Sequence, residues 1–503
     1  MLDSVRIGTR GTPKTLVLGQ FKGKALDAAS ADLDPSGAAA HAAKRAEATG
    51  EIGSAVQAFP PPAKGRSKGG YERVIILGLG DAKEFDPGGL RTAAAALGRI
   101  AAKAELDTIH VCLDEAFGSL KRSVDEEACG GAFGEGIGLV SWTYDHLRGS
   151  ATTLPKRPKV TLFADDRDFK AGLKRGLGLA ESSNVCRSLS QTPPNIAHTE
   201  YIAKEAMALA RKHTGLKCTV IKGDRLEKER LRGLINVGQA SEYPPCLVRL
   251  EWAPANASKT AKPIVLVGKT MTYDSGGLSI KVGGGMRGMK RDKDGGCAVF
   301  GAMHAVATVL KPKRRVVALL AVAENSISDE AYRPDDVIEF RNGVTVEVTN
   351  TDAEGRLVMA DALCWACDKE RPACVIDMAT LTGGVVVALG KVFAGMWCDD
   401  DALRAKLDLA ADASGERVWR LPHDPAYKAM MKSPVADIVN SAPVREAHPI
   451  QGAAFLAHFV KDGTPWAHID IAGTHATDKD SGPYIPGPTG FGTRLLAELI
   501  DSY

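Results

Sequence analysis

The segment Val344-Thr345-Val346-Glu347-Val348-Thr349-Asn350-Thr351-Asp352-Ala353-Glu354-Gly355-Arg356-Leu357 joins a strand pattern to a helix pattern. Its first six residues alternate and are rich in β-branched side chains, which predicts a strand that follows the Asn342-Gly343 turn. From Leu357 onward, apolar residues recur at helical spacing. A strand followed by a helix is the building block of an α/β fold, and the turn between them is a typical ligand position in open α/β sheets.

Two acids occupy this turn. Asp352 and Glu354 are two residues apart, so an extended backbone would point both side chains to the same side. Such a pair can bridge a cation or can divide acid and base catalysis, and the local pattern leaves both functions open. We interpret Gly355 as the small residue that lets the backbone turn into the helix.

Composition narrows the class of protein. A chain of 503 residues with 44% hydrophobic and 25% charged residues predicts a globular protein of two or more domains. A formal charge of +3 gives no general field for nucleic acid or acidic membranes. Ten scattered cysteines favour reduced thiols, and the N-terminus lacks the apolar core of a signal peptide. We therefore expect a cytoplasmic protein with no membrane association.

The pattern of strands and helices predicts two α/β domains. Residues 1–167 form the smaller N-terminal α/β domain, with strands predicted at 73–79, 108–113 and 159–164. Residues 168–192 form a linker helix, which ends because Pro193 and Pro194 cannot continue helical hydrogen bonding.

Residues 193–503 are predicted to form the larger C-terminal domain, which contains the two acids of the turn. The apolar runs Ile264–Val267, Val316–Ala323 and Cys374–Met378 predict strands buried on both faces, which implies a central mixed sheet covered by helices.

A second polar cluster follows the first of these strands. It contains Lys269, Asp274, Lys281 and Asp292, with a run of three glycines between the last two. If Asp274 and Asp292 converge with the two acids of the turn, four negative charges would be tolerated only with cations bound among them. Two divalent cations would neutralise them.

Other motifs favour structural interpretations. Cys364 and Cys367 form a CxxC inside a helix pattern without a second pair, which favours buried packing over zinc or redox chemistry. His458 and His468 belong to no HExxH motif and are interpreted as core or surface groups.

The eight residues Asn350 to Leu357 resemble the signature of the leucyl (cytosol) aminopeptidases, which are hexameric two-metal peptidases. Further landmarks of that family follow in order: Gly268-Lys269, Asp274-Ser275-Gly276-Gly277, Met289-Lys290, Thr380-Leu381-Thr382-Gly383 and Trp466-Ala467-His468-Ile469-Asp470-Ile471-Ala472-Gly473. The resemblance covers roughly residue 184 to the end, whereas the first domain matches only in size and placement.

The resemblance implies the site residues. Two metal ions would be held by Lys269, Asp274, Asp292, Asp352 and Glu354. Catalytic roles would fall to Lys281 and Arg356. The substrate would be bound by Met289, Thr380, Leu381, Gly383, Ala472 and His475. The metals would be manganese or zinc, or else magnesium, and a lysine ligand requires that the metal displace its proton.

The resemblance also implies the reaction. Protonated Lys281 would stabilise the oxyanion on the scissile carbonyl, and Arg356 would hold a bicarbonate anion that acts as general base. The expected activity is hydrolysis of the N-terminal peptide bond of peptides by a two-metal-activated water, with preferential release of leucine or other apolar residues. A homohexamer is implied as well.

Some positions depart from the family pattern. Lys293-Asp294 adds two charges beside Asp292 and could alter metal affinity. His475 places a polar group where the family has a small or apolar wall, which we expect to change the leucine preference.

Two other functional classes remain as alternatives. A two-metal phosphoryl hydrolase would also use carboxylates at strand ends. The first domain could have a nucleic-acid-binding or architectural role, but the near-neutral charge gives this little support, and nucleic acid is not an expected partner.

Overall fold

The computed structural model describes residues 1–61, 70–120, 122–254 and 261–503. Two compact units divide the chain. The first comprises Met1–Asn184 with Asp478–Pro486, and the second comprises Val185–Thr477 with Gly487–Tyr503. Among the helices of the described residues, none is both long and apolar enough to span a membrane.

The first unit contains a six-stranded sheet in the order β1-β6-β5-β2-β4-β3. Only β3 runs antiparallel to its neighbour. The strands are β1 (Ser4–Ile7), β2 (Thr15–Gln20), β3 (Ala55–Ala58), β4 (Arg73–Gly78), β5 (Thr108–Cys112) and β6 (Lys159–Phe163). The helices are α1 (Ala28–Asp32), α2 (Ala38–Ala42), α3 (Leu90–Lys103), α4 (Asp114–Gly118), α5 (Glu126–Leu139) and α6 (Arg167–Gln191). The three strands predicted here are confirmed to within one residue.

The predicted linker helix, 168–192, coincides with α6, which is one continuous helix. The division between the two units falls inside α6, between Asn184 and Val185, rather than at either end of it. Residues 478–486, far along the chain, also belong to the first unit, which no local pattern anticipates. The predicted domain ends at 167 and 193 stay predictions.

The second unit contains an eight-stranded mixed sheet in the order β15-β14-β17-β13-β9-β10-β8-β7. Small sheets of three strands (β11-β12-β16) and two strands (β18-β19) accompany it. The strands are β7 (Leu216–Lys222), β8 (Cys246–Trp252), β9 (Ile264–Asp274), β10 (Val316–Asn325), β11 (Val337–Glu339), β12 (Thr345–Glu347), β13 (Cys374–Ala379), β14 (Ala394–Cys398), β15 (Val418–Arg420), β16 (Ile438–Val439), β17 (Trp466–Asp470), β18 (Ala476–Thr477) and β19 (Gly487–Pro488).

Helices cover this sheet. They are α7 (Thr199–Lys212), α8 (Asp224–Lys228), α9 (Arg232–Gly238), α10 (Asp294–Ala305), α11 (Glu354–Trp365), α12 (Gly383–Leu389), α13 (Asp401–Ser414), α14 (Pro425–Ala429), α15 (His448–Leu456) and α16 (Thr493–Asp501). Both faces of β9 are buried: Ile264 and Leu266 pack in one hydrophobic cluster, and Val265 and Val267 in another. Because successive strand residues point to opposite faces, a doubly covered strand reads as a continuous apolar run. The predicted α/β class with a covered mixed sheet is confirmed.

The central strands β17, β13, β9 and β10 are mutually parallel. Their carboxyl ends therefore meet at one edge of the sheet, where Asp470, Thr380, Asp274 and Asn325 end or directly follow the four strands. This edge is the usual ligand position in α/β folds.

Candidate metal centre and active site

The acids of the strand-to-helix turn do not lie on extended backbone, so that expectation is wrong. β12 already ends at Glu347, and Glu354 is the first residue of α11. The tertiary fold nevertheless brings them together, because oxygens of Asp274, Asp352 and Glu354 all lie within 4.8 Å of one another. The third acid, Asp274, is the last residue of β9 and lies about eighty positions earlier in the sequence.

Two lysines divide the acids into two groups. Lys269 Nζ lies 2.8 Å from Asp292 Oδ2 and 3.0 Å from Glu354 Oε1. It also donates a hydrogen bond of 3.1 Å to the carbonyl oxygen of Thr380.

Lys281 forms the second group. Its Nζ lies 2.7 Å from Asp274 Oδ2 and contacts Asp352 Oδ1. Four carboxylates thus share two ammonium groups, which leaves two negative charges uncompensated within the cluster.

These charges are removed from water. Burial raises the pKa of Glu354 well above its ordinary value and raises the pKa of Asp292 to about 6. For both lysines burial acts in the opposite direction, but the carboxylates around them outweigh it and raise the lysine pKa. The charged forms of Glu354 and Asp292 are therefore disfavoured by burial, and bound cations would stabilise them.

The donor atoms fit divalent cations. Both carboxylate oxygens of Glu354 are buried: Oε1 has only the ammonium of Lys269 beside it, at 3.0 Å, and Oε2 has no donor among the described residues. A buried acceptor without a donor is costly unless an ion or a water completes it. Carboxylate oxygens with one lysine nitrogen form a donor set suited to manganese, zinc or magnesium.

Gly355 has a different role from the one its sequence position suggested. It lies inside α11 with ordinary helical backbone, so the turn does not require a glycine there. A Cβ added at this position would instead overlap Cε and Nζ of Lys269. The absent side chain makes room for the lysine between the carboxylates.

Asn325 and Thr351 position the acids, and neither was predicted as a site residue. Asn325 Nδ2 donates to Asp274 Oδ1 at 2.9 Å and to the carbonyl oxygen of Thr351 at 3.0 Å. Tyr332 donates its hydroxyl to the same carbonyl at 2.7 Å. A signal was available for Asn325, because it is a polar residue at the end of β10, two positions after the apolar run ends at Ala323.

Asn440 and Asp470 hold two neighbouring loops. Asn440 Nδ2 donates to the carbonyl oxygen of Asn350 at 2.7 Å. The Asp470 carboxylate accepts from the backbone of Leu381 and Thr382, both at 3.0 Å. Asp470 falls in a family landmark, whereas nothing in the sequence around Asn440 points to the site.

Arg356 is buried without a carboxylate partner among the described residues. Its Nη1 donates to the carbonyl oxygen of Asn440 at 2.8 Å, and its Nε has no partner there. Burial lowers the pKa of Arg356 to about 10, so the side chain stays charged at neutral pH. A buried guanidinium with a free donor suits an oxyanion ligand.

A cavity of about 430 Å³ opens onto this cluster. Twelve of the thirteen predicted site residues line it: Lys269, Asp274, Lys281, Met289, Asp292, Asp352, Arg356, Thr380, Leu381, Gly383, Ala472 and His475. The thirteenth, Glu354, is buried and contacts Lys269. The lining residues Ser441 and His448 were not predicted, because their surroundings in the sequence carry no motif. Arg291 also lines the cavity and was not predicted, although it lies between Lys290 and Asp292.

Lys293 and Asp294, the two residues beside Asp292 that depart from the family pattern, contact different groups. Lys293 is buried and donates to the carbonyl oxygens of Ser190 and Thr192 at 3.0 and 3.1 Å. Asp294 Oδ2 lies 2.7 Å from His475 Nδ1. The polar wall at His475 is therefore a histidine held by a buried acid.

The motifs interpreted as structural remain so. All ten cysteines are free, and Cys364 and Cys367 are buried. His468 is fully buried, with Nδ1 2.5 Å from Asp377 Oδ1.

The chain is similar to known proteins over most of its length. Residues 184–497 match the model of the cytosol aminopeptidase family catalytic domain, and residues 17–150 match that family's N-terminal domain. A probable cytosol aminopeptidase of Desulfovibrio desulfuricans is 39% identical over 85% of each chain. One of Cenarchaeum symbiosum is 38% identical over 85% of this chain and 86% of the relative.

Among solved structures, the bottromycin maturation enzyme BotP in complex with Mn is similar over 98% of this chain and 99% of that chain. Its TM-score is 0.85 and its sequence identity is 32%. Both domain models of one family match this chain, and the two relatives named above are each more than one third identical to it. Together these matches determine the family. The chain belongs to the cytosol aminopeptidase family, whose members are metal-dependent aminopeptidases.

Proposed function

We propose that this protein hydrolyses the N-terminal peptide bond of peptides with two divalent metal ions, and that it releases leucine or other apolar residues preferentially. The observation that carries the proposal is the pair of lysine–carboxylate groups at one sheet edge, Lys269 with Asp292 and Glu354, and Lys281 with Asp274 and Asp352. Family membership supports a peptidase over a phosphoryl hydrolase with similar carboxylates.

The metal ligands in this proposal are Lys269, Asp274, Asp292, Asp352 and Glu354. When bound, manganese, zinc or magnesium ions would polarise the scissile carbonyl and acidify a water molecule. Asn325 holds Asp274 in place, and Thr380 Oγ1 donates to Asp292 Oδ1 at 2.8 Å. These bonds orient the carboxylates before any substrate arrives.

Two cationic side chains have separate roles. Lys281 is protonated because its carboxylate neighbours raise its pKa, so it can donate a hydrogen bond to the oxyanion that develops on the carbonyl. Arg356 binds an anion through its fork of N–H groups. A bicarbonate at that position would supply the general base, a role that arginine itself cannot fill.

The substrate side chain is placed against Met289, Thr380, Leu381, Gly383, Ala472 and His475, which share the cavity with the metal ligands. His475 Nδ1 is engaged by Asp294, and its Nε2 has no partner among the described residues. A further hydrogen-bonding group in this wall reduces the preference for purely aliphatic side chains. We expect leucine and methionine to be accepted together with residues that carry a hydrogen-bond acceptor.

The test is hydrolysis after chelation and re-addition of manganese, zinc or magnesium. Leucine anilide, N-acetyl-leucine anilide and an aryl phosphate ester are compared under the same conditions. We expect metal-dependent cleavage of leucine anilide only, because the acetylated substrate lacks the free amine. Turnover of the phosphate ester without turnover of the anilide would contradict the proposal. Mass measurement in solution tests the proposed homohexamer, and cell fractionation tests the proposed cytoplasmic location.

A further inference from the structure

A second group of metal-ligating side chains lies in the first unit. His110 and Cys112 are two residues apart on β5, so they point to the same face of the sheet. Asp165 lies two residues beyond the end of the neighbouring parallel strand β6. The three residues therefore stand at the carboxyl edge of a parallel sheet, as ligand-binding residues do in α/β folds.

The ligand atoms of these side chains are close together. One atom each from His110, Cys112 and Asp165 lies within 4.8 Å of the other two. His110 Nε2 is 3.0 Å from Asp165 Oδ2. Cys112 is buried, whereas the Asp165 side chain is 82% exposed, so one side of the group is open to solvent.

The other nitrogen of His110 is already engaged. Its Nδ1 lies 2.7 Å from the hydroxyl of Tyr71. Metal-binding histidines use one ring nitrogen for the ion and bond the other to a neighbouring group, which sets the ring orientation and the tautomer. Tyr71 occupies that second position, and Nε2 faces the Asp165 carboxylate.

We propose that His110, Cys112 and Asp165 bind one divalent cation of the zinc class, with water completing a tetrahedral site. Sulfur, nitrogen and oxygen together are the donor set of borderline ions such as zinc and cobalt. Ligand atoms around tetrahedral zinc are roughly 3.3–3.7 Å apart, so closure requires side-chain movements of about 1 Å. The thiol binds as thiolate, and its proton is released to solvent.

The local charge favours a cation. Asp114 and Glu115 occupy the first turn of α4, directly after β5. The alternative is a simple His110–Asp165 ion pair, in which Cys112 would have no part. The two cases differ in whether sulfur binds the metal.

Cobalt(II) distinguishes them, because thiolate coordination produces a near-ultraviolet charge-transfer band. The proposed catalytic ligands contain no sulfur, so this band reports only a cysteine site. The full-length protein is chelated and titrated with cobalt(II). We expect the band in the wild type and in a variant that carries both Asp352→Asn and Glu354→Gln. It should be absent in Cys112→Ser, and Cys218→Ser, at a half-buried cysteine, is the matched control that should retain it.

Asp165→Asn should disturb folding least among these variants, because the Asp165 side chain is exposed to solvent. It should weaken cobalt affinity at least 10-fold, and Tyr71→Phe should weaken it roughly 10–100-fold. Peptidase activity should not change in either variant. Absence of the sulfur band in the wild type, or its persistence in Cys112→Ser, would overturn the proposal.

Discussion

Gly355 and Lys269 approach each other so closely that a Cβ on the glycine would overlap Cε of the lysine. The lysine stem cannot retreat easily, because its Nζ is held by Asp292 and Glu354. Gly355→Ala should therefore displace the lysine while leaving every proposed ligand chemically intact. We expect metal affinity and activity to fall roughly 10–100-fold, measured by metal titration and by anilide hydrolysis. Gly118→Ala, with open space around the new methyl group, is the control.

Glu354→Gln tests the ligand assignment directly. The substitution keeps the size of the side chain but removes the charge of a buried carboxylate whose Oε2 has no donor among the described residues. We expect less metal bound per subunit and a loss of activity of more than ~100-fold. Elemental analysis and steady-state kinetics are the measurements. Full activity in Glu354→Gln and in Glu354→Ala would show that the site lies elsewhere.

Arg356→Lys tests the anion site. Lysine keeps the charge but loses the planar fork of donors, so an oxyanion would be held less firmly. In buffer freed of carbon dioxide, added bicarbonate should stimulate the wild type and should stimulate the variant at least 10-fold less. Metal content should be equal in the two proteins. Arg333→Lys, at an exposed ion pair, is the matched control.

His475→Ala tests the polar wall of the cavity. Removal of the imidazole leaves an apolar surface and frees Asp294, which holds His475 Nδ1 at 2.7 Å. The double variant with Asp294→Asn avoids an unpaired buried carboxylate. We expect the ratio of kcat/KM for leucine against acceptor-bearing substrates to rise roughly 10-fold. If leucine, methionine, arginine and aspartate substrates keep their ranking, His475 does not determine specificity.

His304 makes stability depend on pH. Burial, followed by the charges of His213 and Lys212, lowers the pKa of His304 to about 4. Between its ordinary value near 6.5 and this pKa, the unfolded chain binds a proton that the folded chain does not. Stability from this group is therefore present above about pH 6.5 and is lost as the pH falls towards 4.

His304→Gln should reduce that loss by roughly 1–3 kcal/mol, after allowance for partial exposure. Urea midpoints at pH 7 and pH 5 provide the comparison. His41→Gln, at an exposed helix position, controls for removal of a histidine. Parallel pH profiles of His304→Gln and the wild type would contradict the assignment.

The sequence alone determined the features that depend on neighbouring residues. Continuous apolar runs predicted the doubly covered strands β9, β10 and β13, because burial on both faces requires apolar residues at every position. The signature Asn350 to Leu357 identified the family, and the predicted site residues lie around one cavity. Roles within that cavity stay proposals.

Only the tertiary structure decided how these residues combine. The pairing of Lys269 with Asp292 and Glu354 joins positions 23 and 85 residues apart, and a local pattern carries no record of such contacts. The same reason hid Asn440, which is distant in sequence from Arg356 and Asn350 but contacts both. The turn also differs from the predicted pattern. Asp352 and Glu354 lie close to Asp274 because β9 and α11 meet at the sheet edge, and not because an extended strand points the two acids the same way.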